Sequence, residues 1–528
     1  MLVDRSDQID DEVLDGGVGH GDRRASYWCW PWVRRRGIGT IPQVRRAVMH
    51  EREAGLRLEA SISGLADRVP GVSVRRLLTL GQRRLLLAFC ALVVVGLVLS
   101  VVDTVVAIVS IVTVVYVVCM GYRVYLFIRS TRANVSEVVT DEEARAVPDA
   151  ELPTYTVLIP AYHEPEVINH LMASIARMEY PASRLEVLVL VEEDDDDTLD
   201  AVRDADPGQQ FKLVLVPPAE PRTKPKALNF GLTLARGELV AIYDAEDEPD
   251  PLQLRRAAVA LGRLGPDVGC VQSKLSYNNP EQNVITRWFT IEYAMWFSFF
   301  LPGLASMEAP IPLGGTSNHF RRMALRALGG WDPFNVTEDA DLGIRMFREG
   351  FKVRILESVT LEEANSDFVN WVKQRSRWYK GYLQTLFVHL RSPRDLYREM
   401  GWKGTAHFSI FVGGTPILAM LNPIFWLMTA LWFVGHPVFV QEIYPAPVYY
   451  VGLSGWALGN FLLAYLTLLS CRAIGRGDFL WAALAVPLYW VMMSLAAAKA
   501  IWQLVGTPAL WEKTVHGLHR PAAESTAA

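Results

Sequence analysis

The chain is short of cysteine, short of net charge and without the glycine-rich phosphate loops that mark many nucleotide enzymes. Its five cysteines, Cys29, Cys90, Cys119, Cys270 and Cys471, form no C-x-x-C pair. That excludes a zinc site and a disulfide framework and leaves structural thiols. A formal charge of −5 over 528 residues does not suit a nucleic-acid partner. Nothing reads G-x-x-x-x-G-K-[ST], and no G-x-G-x-x-G follows the first expected strand; a kinase or a dinucleotide enzyme is disfavoured. The opening "MLVDRSDQIDDEVLD" is acidic with no apolar core behind it, so no cleaved leader is expected.

Apolar residues are plentiful, at 51%, and unevenly placed. Residues 85–127 are almost all apolar, broken by Asp103. A bilayer core needs about 20 apolar residues per helix, so this run fits two spans with a short turn. Further runs occupy 405–434, 448–470 and 479–506. Arg75, Arg76, Arg83 and Arg84 precede the first span, and Arg123, Arg129 and Arg132 flank the second. By the positive-inside bias both ends, and the stretch from 131 to 400, are expected in the cytoplasm. The expected division is a partly disordered cytoplasmic extension (1–78), a hairpin of two spans (79–130), a cytoplasmic domain (131–400), a C-terminal membrane region of three to four crossings (401–506) and a cytoplasmic tail (507–528). A cytoplasmic tail needs an even number of crossings after the domain. Three apolar runs therefore imply that one is a re-entrant pair, split at 422–423 or at Pro487; Lys499 favours the second.

Within 131–400, "TYTVLIP", "LEVLVLV", "FKLVLVP", "GELVAIYD" and "DVGCVQS" read as strands, with helical spacing in "EVINHLMASIARM" and "KPKALNFGLTLAR". Continuous apolar strands alternating with helices predict a mostly parallel sheet covered on both faces. Ligands of such sheets bind beyond the carboxyl ends of the strands. There the sequence places "AYHEPE", "EEDDDDT", "RTKPKALN" and "DAEDEPDP". Carboxylates and lysines at one sheet end suit a nucleoside diphosphate with a divalent cation, which takes oxygen ligands. Asp244 and Glu246, two apart in an extended turn, share a face. At about 4–5 Å their charges repel by roughly 3–4 kcal/mol at an effective dielectric near 20, a cost that a bound cation offsets. Glu248 and Asp250 flank Pro249 and are expected to begin the next helix; Asp247 belongs to either group. His319 has no second His or Cys nearby, so a metal role is not expected; the segment "GGTSNH" is read as shaping an acceptor site.

Further along stand "GGTSNHFRR" (314–322), "VTEDADLG" (336–343) and "QRSRWYKG" (374–381). With the strand-end acids, this order resembles the processive glycosyltransferases of family 2, the synthases of cellulose, chitin and hyaluronan, and most of all bacterial cellulose-synthase-like exopolysaccharide (glucan) synthases. The resemblance runs from about 153 to the C-terminus. It implies a GT-A-type, Rossmann-like α/β domain inserted between transmembrane helices in a multi-pass protein of the cell (inner or plasma) membrane. By matching position, Tyr162 and Glu164 are implied to meet the base and ribose, Glu193 (before Glu192 or Asp194) the uracil or ribose, and Lys226 (before Lys224) a phosphate. Asp244 and Glu246 match the metal-binding D-x-D, with Asp247 as a competing ligand for Mg²⁺ or Mn²⁺. Asp339 matches the general base, beside Glu338. Gln374, Arg377 and Trp378 match Q-x-x-R-W, Arg377 for the pyrophosphate and Trp378 for the growing chain; Gly315 and Thr316 are implied to shape the acceptor site. "WEKTVHG" (511–517) resembles a gating loop with Trp511 and Thr514 as its working residues.

The function these features imply is an inverting, processive transfer. A nucleotide sugar, UDP-glucose by family frequency, would extend a β-linked polysaccharide that leaves through the enzyme's own spans, with the lipid bilayer and possible accessory export proteins as partners and no nucleic acid. A non-processive transferase acting on a lipid or short glycan and a catalytically silent receptor or export scaffold are the alternatives.

Overall fold

Unbroken Val, Ile and Leu runs build the sheet, because a strand buried on both faces has no polar side to alternate with. The computed structural model describes residues 51–512, apart from Asn134, 206–207, 436–437 and Ala509; the arm at 1–50 and Thr514 lie outside the described residues. Three helices come first: α1 (Glu51–Arg68), α2 (Leu80–Leu99) and α3 (Val101–Arg132). The chain turns between the last two at Ser100, whose hydroxyl accepts from the Asp103 N–H at 3.3 Å. Asp103 interrupts the apolar run because an acid suits the positive first turn of a helix.

A nine-stranded sheet follows, ordered β1-β9-β7-β8-β5-β2-β3-β4. Its strands are β1 (Ser136–Glu137), β2 (Tyr155–Ala161), β3 (Leu185–Glu192), β4 (Phe211–Val216), β5 (Leu239–Ile242), β6 (Glu248–Pro249), β7 (Val268–Tyr277), β8 (Asn318–Arg321) and β9 (Lys352–Glu362). All pairings are parallel except those of β8 with β5 and β7 and of β6 with β9. The arrangement is the expected GT-A-type α/β sheet. One core packs Leu228, Phe230, Phe297 and Trp331 against one face, and a second packs Ile168, Leu171, Leu254 and Leu261 against the other. Glu248 does not start a helix: it lies in β6, and its carboxylate accepts from Asn278 at 2.9 Å. The pairing of β6 with β9 holds it extended. Asp250 instead accepts from the Leu252 N–H at 2.8 Å, closing the turn before the helix Gln253–Arg263.

The remaining helices that matter for the site are α4 (Lys224–Leu234), α5 (Val284–Met295), α6 (Glu338–Arg348), α7 (Phe368–His389), α8 (Pro393–Phe408), α9 (Gly414–Gly435), α10 (Ala446–Ala473) and α11 (Val486–Gly506). Part of the weakly patterned N-terminal extension is ordered. α1 docks on α4, where Asn229 donates to the Ser61 carbonyl at 3.0 Å and Arg57 to the Thr233 carbonyl at 3.0 Å. Tertiary packing, rather than the sequence pattern of α1 itself, holds it.

Among the described residues, five helical runs are long and apolar enough to cross a membrane: α2, α3, the run Pro393–Gly435, α10 and α11. The run Pro393–Gly435 bends at Gly401 (φ +65°) and widens to a π-turn at Ser409–Gly413. It passes Asn422–Pro423 without splitting. α11 is likewise unbroken; only the five residues Leu480–Leu484 form a separate helix before it. Neither expected split therefore makes a re-entrant pair. α11 instead lies alongside α7 in the same direction. At their starts Trp371 and Tyr489 rings sit 5.1 Å apart, and at their ends Gln384 donates to the Pro508 carbonyl at 2.8 Å. The chain just before α11 is also tied to the sheet-bearing domain, through Arg476 and Glu281 at 2.6 Å.

Candidate active site

The strand ends meet α6 and α7 around a cavity of about 370 Å³. β5 delivers Asp244 and Glu246 to its rim, and the first turn of α4 delivers Lys224. The Lys224 ammonium pairs with the Asp244 carboxylate and donates to the Gly315 carbonyl at 2.8 Å. α6 begins at Glu338 and presents Glu338 and Asp339; α7 roofs the cavity with Gln374, Arg377 and Trp378. Gly315 marks the point of convergence. A Cβ there would stand 3.5 Å from an Asp339 carboxylate oxygen, 3.8 Å from the Lys224 ammonium and 3.9 Å from an Asp244 oxygen.

Buried acids at close quarters shift one another's protonation. Burial and the Asp244 charge push Glu246 up to about 7. Burial raises Asp339 to about 6 against the pull of the Ala340 N–H, Lys224 and Arg377. Glu338 rises to about 8 through burial and the Asp339 charge. Glu362, at the end of β9, is driven well upward by burial and then by Glu246 and Asp244. Arg377, whose charge faces these acids, stacks its guanidinium 4.9 Å over the Trp511 ring. Trp511 thereby closes one side of the cavity, and the chain around it is pinned: Lys380 donates to the Leu510 carbonyl at 2.6 Å, and Lys499 pairs with Glu512 at 2.7 Å.

The structure brings Tyr162, Glu164, Asp244, Glu246, Gly315, Glu338, Asp339, Gln374, Arg377, Trp378 and Trp511 to one cavity. Four other sequence-singled residues stand elsewhere. Lys226 is fully buried, paired with Glu192 at 2.7 Å and donating to the Ala219 carbonyl at 3.0 Å. Lys224, two residues earlier and so on another side of the helix, takes the cavity position. Glu193 is exposed beyond the rim, and Glu192 lines the cavity in its place. Asp247 turns inward, where one oxygen accepts from the Asp244 N–H at 2.7 Å and from the Thr316 hydroxyl. It holds the turn that aims Asp244 and Glu246 and does not line the cavity, while its other oxygen is buried without a hydrogen-bond partner among the described residues. Thr316 is buried behind the wall, bonded to Asp247 and to the Ile242 carbonyl at 3.1 Å.

His319 is a core residue. Its ring meets the Tyr155 hydroxyl at 2.8 Å, and burial lowers it to about 3. His163 carries φ +51°, a conformation for which Asn is enriched; the Asp195 carboxylate accepts its N–H at 2.6 Å. Arg222, Glu362, Tyr293, Trp296 and Tyr382 also line the cavity without being singled out in the sequence. Arg222, in "RTKPK", pairs with Asp194 at 2.7 Å and reaches the Tyr162 hydroxyl at 3.4 Å. The signal for Glu362 was its place at a strand end, hidden because β9 was not read as a strand.

A GT-A-type sheet with acids, a lysine and an arginine gathered at its strand ends defines a nucleotide-sugar transferase. The chain is a glycosyltransferase, and its residues 153–381 match the model described as "Glycosyltransferase like family 2". Curated relatives include "Probable glycosyltransferase YdaM" of Bacillus subtilis (strain 168), 27% identical over 56% of this chain and 74% of that protein. "Beta-monoglucosyldiacylglycerol synthase" of Synechocystis sp. (strain ATCC 27184 / PCC 6803 / Kazusa) is 26% identical over 69% of this chain and 75% of that one. "Probable glucomannan 4-beta-mannosyltransferase 1" of Arabidopsis thaliana is 29% identical over 52% of this chain and 49% of its own length. Among solved structures, the mannosyltransferase PcManGT from Pyrobaculum calidifontis, in complex with GDP-Man and Mn²⁺, aligns with 75% of this chain and 99% of that chain at 20% identity and a TM-score of 0.48.

Proposed function

We propose that the chain moves a hexosyl unit, with inversion, from a nucleoside diphosphate sugar to a hydroxyl of an acceptor entering from the membrane side, and repeats the step to build a β-linked glycan. The observation that carries this is the convergence of Asp244, Lys224 and Asp339 within 4 Å of one point at Gly315. Tyr162, Glu164 and Glu192 bind the nucleoside, and Lys224 and Arg377 face the diphosphate. Asp339 takes the acceptor proton as the oxygen attacks the anomeric carbon. UDP-glucose is the first donor to test.

Asp244 and Glu246 fit a divalent cation. Burial and the Asp244 charge raise Glu246, a cost that a bound cation would offset, its shell completed by phosphate and water. When bound, Mg²⁺ or Mn²⁺ would supply charge neutralisation at the leaving diphosphate.

Four helices, α2, α3, the run Pro393–Gly435 and α10, would cross the cell membrane, and α11 would lie along its surface with α7. The catalytic domain and Trp511 then share the cytoplasmic side. A second reading, transfer to a lipid, is favoured by the coverage of the glucosyldiacylglycerol synthase relative. The test is Asp339→Asn in purified protein. Transfer from UDP-glucose, or from whichever nucleotide sugar proves active, should fall by at least about a hundredfold while nucleotide binding persists; product length separates polymer from single addition. Full activity in that variant excludes the proposal.

A further inference from the structure

At the membrane end of the cavity a second basic site stands apart from the donor machinery. Arg123 lies in α3, roughly 14 Å of helix before its end at Arg132. A positive-inside arginine ordinarily reaches out to the headgroups, as the exposed Arg132 does. Arg123 turns inward instead: its guanidinium donates to the Thr415 hydroxyl at 3.0 Å and lies 5.5 Å over the Phe300 ring. Thr415 is in the first turn of α9 and lines the cavity, with Tyr293, Trp296 and Tyr382 along the wall. The guanidinium is thus one hydrogen bond from the space that the acceptor would fill.

A guanidinium carries five donors, and Thr415 takes one of them. Among the described residues Arg123 makes no ion pair: Glu292, an acid whose charge reaches it, is engaged by Arg375 and by the Tyr489 hydroxyl at 2.6 Å. Nor does Arg123 belong to the donor end, since the acids that face Arg377 are Glu338, Asp339, Asp244 and Glu246. A charged side chain inside a membrane helix is costly and generally marks a ligand or ion path. The planar fork of arginine matches a phosphate.

We propose that Arg123, held in place by the Thr415 hydroxyl (whose own proton goes to the Phe411 carbonyl at 2.7 Å), forms an anion subsite that takes the phosphate of a membrane lipid, seating that lipid's hydroxyl or sugar in the cavity as the acceptor. The inference rests on glycosyl transfer occurring in this cavity, and it names the class of the first acceptor whatever number of sugars follows. The aromatic wall packs its head, and Asp339 receives the proton of the attacking hydroxyl as the anomeric carbon–phosphate oxygen bond breaks and the nucleoside diphosphate leaves.

The test uses the full chain in nanodiscs of phosphatidylcholine alone and of phosphatidylcholine mixed with phosphatidylglycerol. Labelled nucleotide sugar reports two products in each sample, organic-phase glycolipid and water-phase free sugar from donor hydrolysis. In the wild type, phosphatidylglycerol should raise glycolipid relative to hydrolysis. Arg123→Gln should lower that ratio about tenfold, and Arg123→Lys should recover part of it. A ratio that responds to phosphatidylglycerol equally in Arg123→Gln overturns the proposal. So does a wild type in which added inorganic phosphate replaces the anionic lipid, since the source is then soluble. Loss of both products in the wild type with every nucleotide sugar would instead refute glycosyl transfer itself. Thermal unfolding of each variant separates a lost subsite from a lost fold.

Discussion

At the scale of single residues, Lys224 and Lys226 show how much a side chain's direction decides. Both are lysines of one motif, yet one reaches the cavity and pairs there with Asp244, while the other stays buried behind the wall, paired with the cavity-lining Glu192. Lys226→Ala strands a buried carboxylate and should cost about 3–5 kcal/mol of stability, read as a fall in the unfolding midpoint. Lys224→Ala should leave the fold nearly intact and lower kcat/KM by roughly ten- to a hundredfold, the worth of a charge-assisted hydrogen bond. If both variants lose stability equally, the assignment is wrong. The motif "KPKALN" was legible in the sequence; which lysine faces the donor was not, because the helix register that separates them depends on where the first turn begins. The acidic run at 192–197 hid Glu192 for a related reason, as no alternation survives in it to mark the inward face. Asp339 carries a further consequence. As the proposed general base it works only as the carboxylate, and burial raises it to about 6. Activity should therefore rise with pH through about 6 and be lost below it. Added positive charge from the bound cation would move that limb to lower pH. A pH profile of kcat/KM at saturating and at limiting metal checks both statements.

At the scale of elements, the site depends on how closely α7 approaches the start of α6. Gly381, in the last position of "QRSRWYKG", makes that approach possible: a Cβ there would fall 2.7 Å from the Thr337 Cβ, well inside any ordinary contact. Gly381→Ala must therefore push α7, with Gln374, Arg377 and Trp378, away from Glu338 and Asp339. The expected outcome is a folded protein with kcat reduced by about a hundredfold, the scale on which a misplacement of about 1 Å acts. Unchanged kcat would show that α7 does not position the chemistry. A buried tie supports the same junction, with Asp341 accepting from Arg345 at 2.7 Å and from His389 at 3.0 Å. The strands β2, β3, β4, β5 and β7 were readable because each carries a continuous apolar run. β8 and β6 were not, being short and polar, with Asn318, His319 and Arg321 in one and Glu248 in the other. Pairing with β5, β7 and β9 makes them strands, and that pairing is non-local.

At the scale of the whole molecule, the open question in the sequence was how a third apolar run after the catalytic domain could leave Trp511 beside Arg377. Length and composition alone allow α11 to cross a bilayer. Its surroundings oppose that. It follows α7 along its whole course, its N-terminal approach is bound to Glu281, and the chain after it is bound to Gln384 and Lys380. A crossing would carry one of those ends to the far side, away from residues of the same domain. It would also draw Lys499 and its partner Glu512 toward hydrocarbon, where a lysine at the helix centre costs roughly 2.5–3.5 kcal/mol. An α11 lying at the surface leaves both ends, and the Lys499–Glu512 pair, in the headgroup region. The prediction follows for single cysteines placed in a cysteine-free background at the exposed Glu151, Arg394, Glu442 and Thr507. In intact cells an impermeant maleimide should label Glu442→Cys alone. In inverted vesicles it should label the other three. If Thr507→Cys reacts together with Glu442→Cys, α11 crosses the membrane. Residues 507–512 would then sit opposite the catalytic domain, and the stacking of Trp511 on Arg377 could not exist in the membrane.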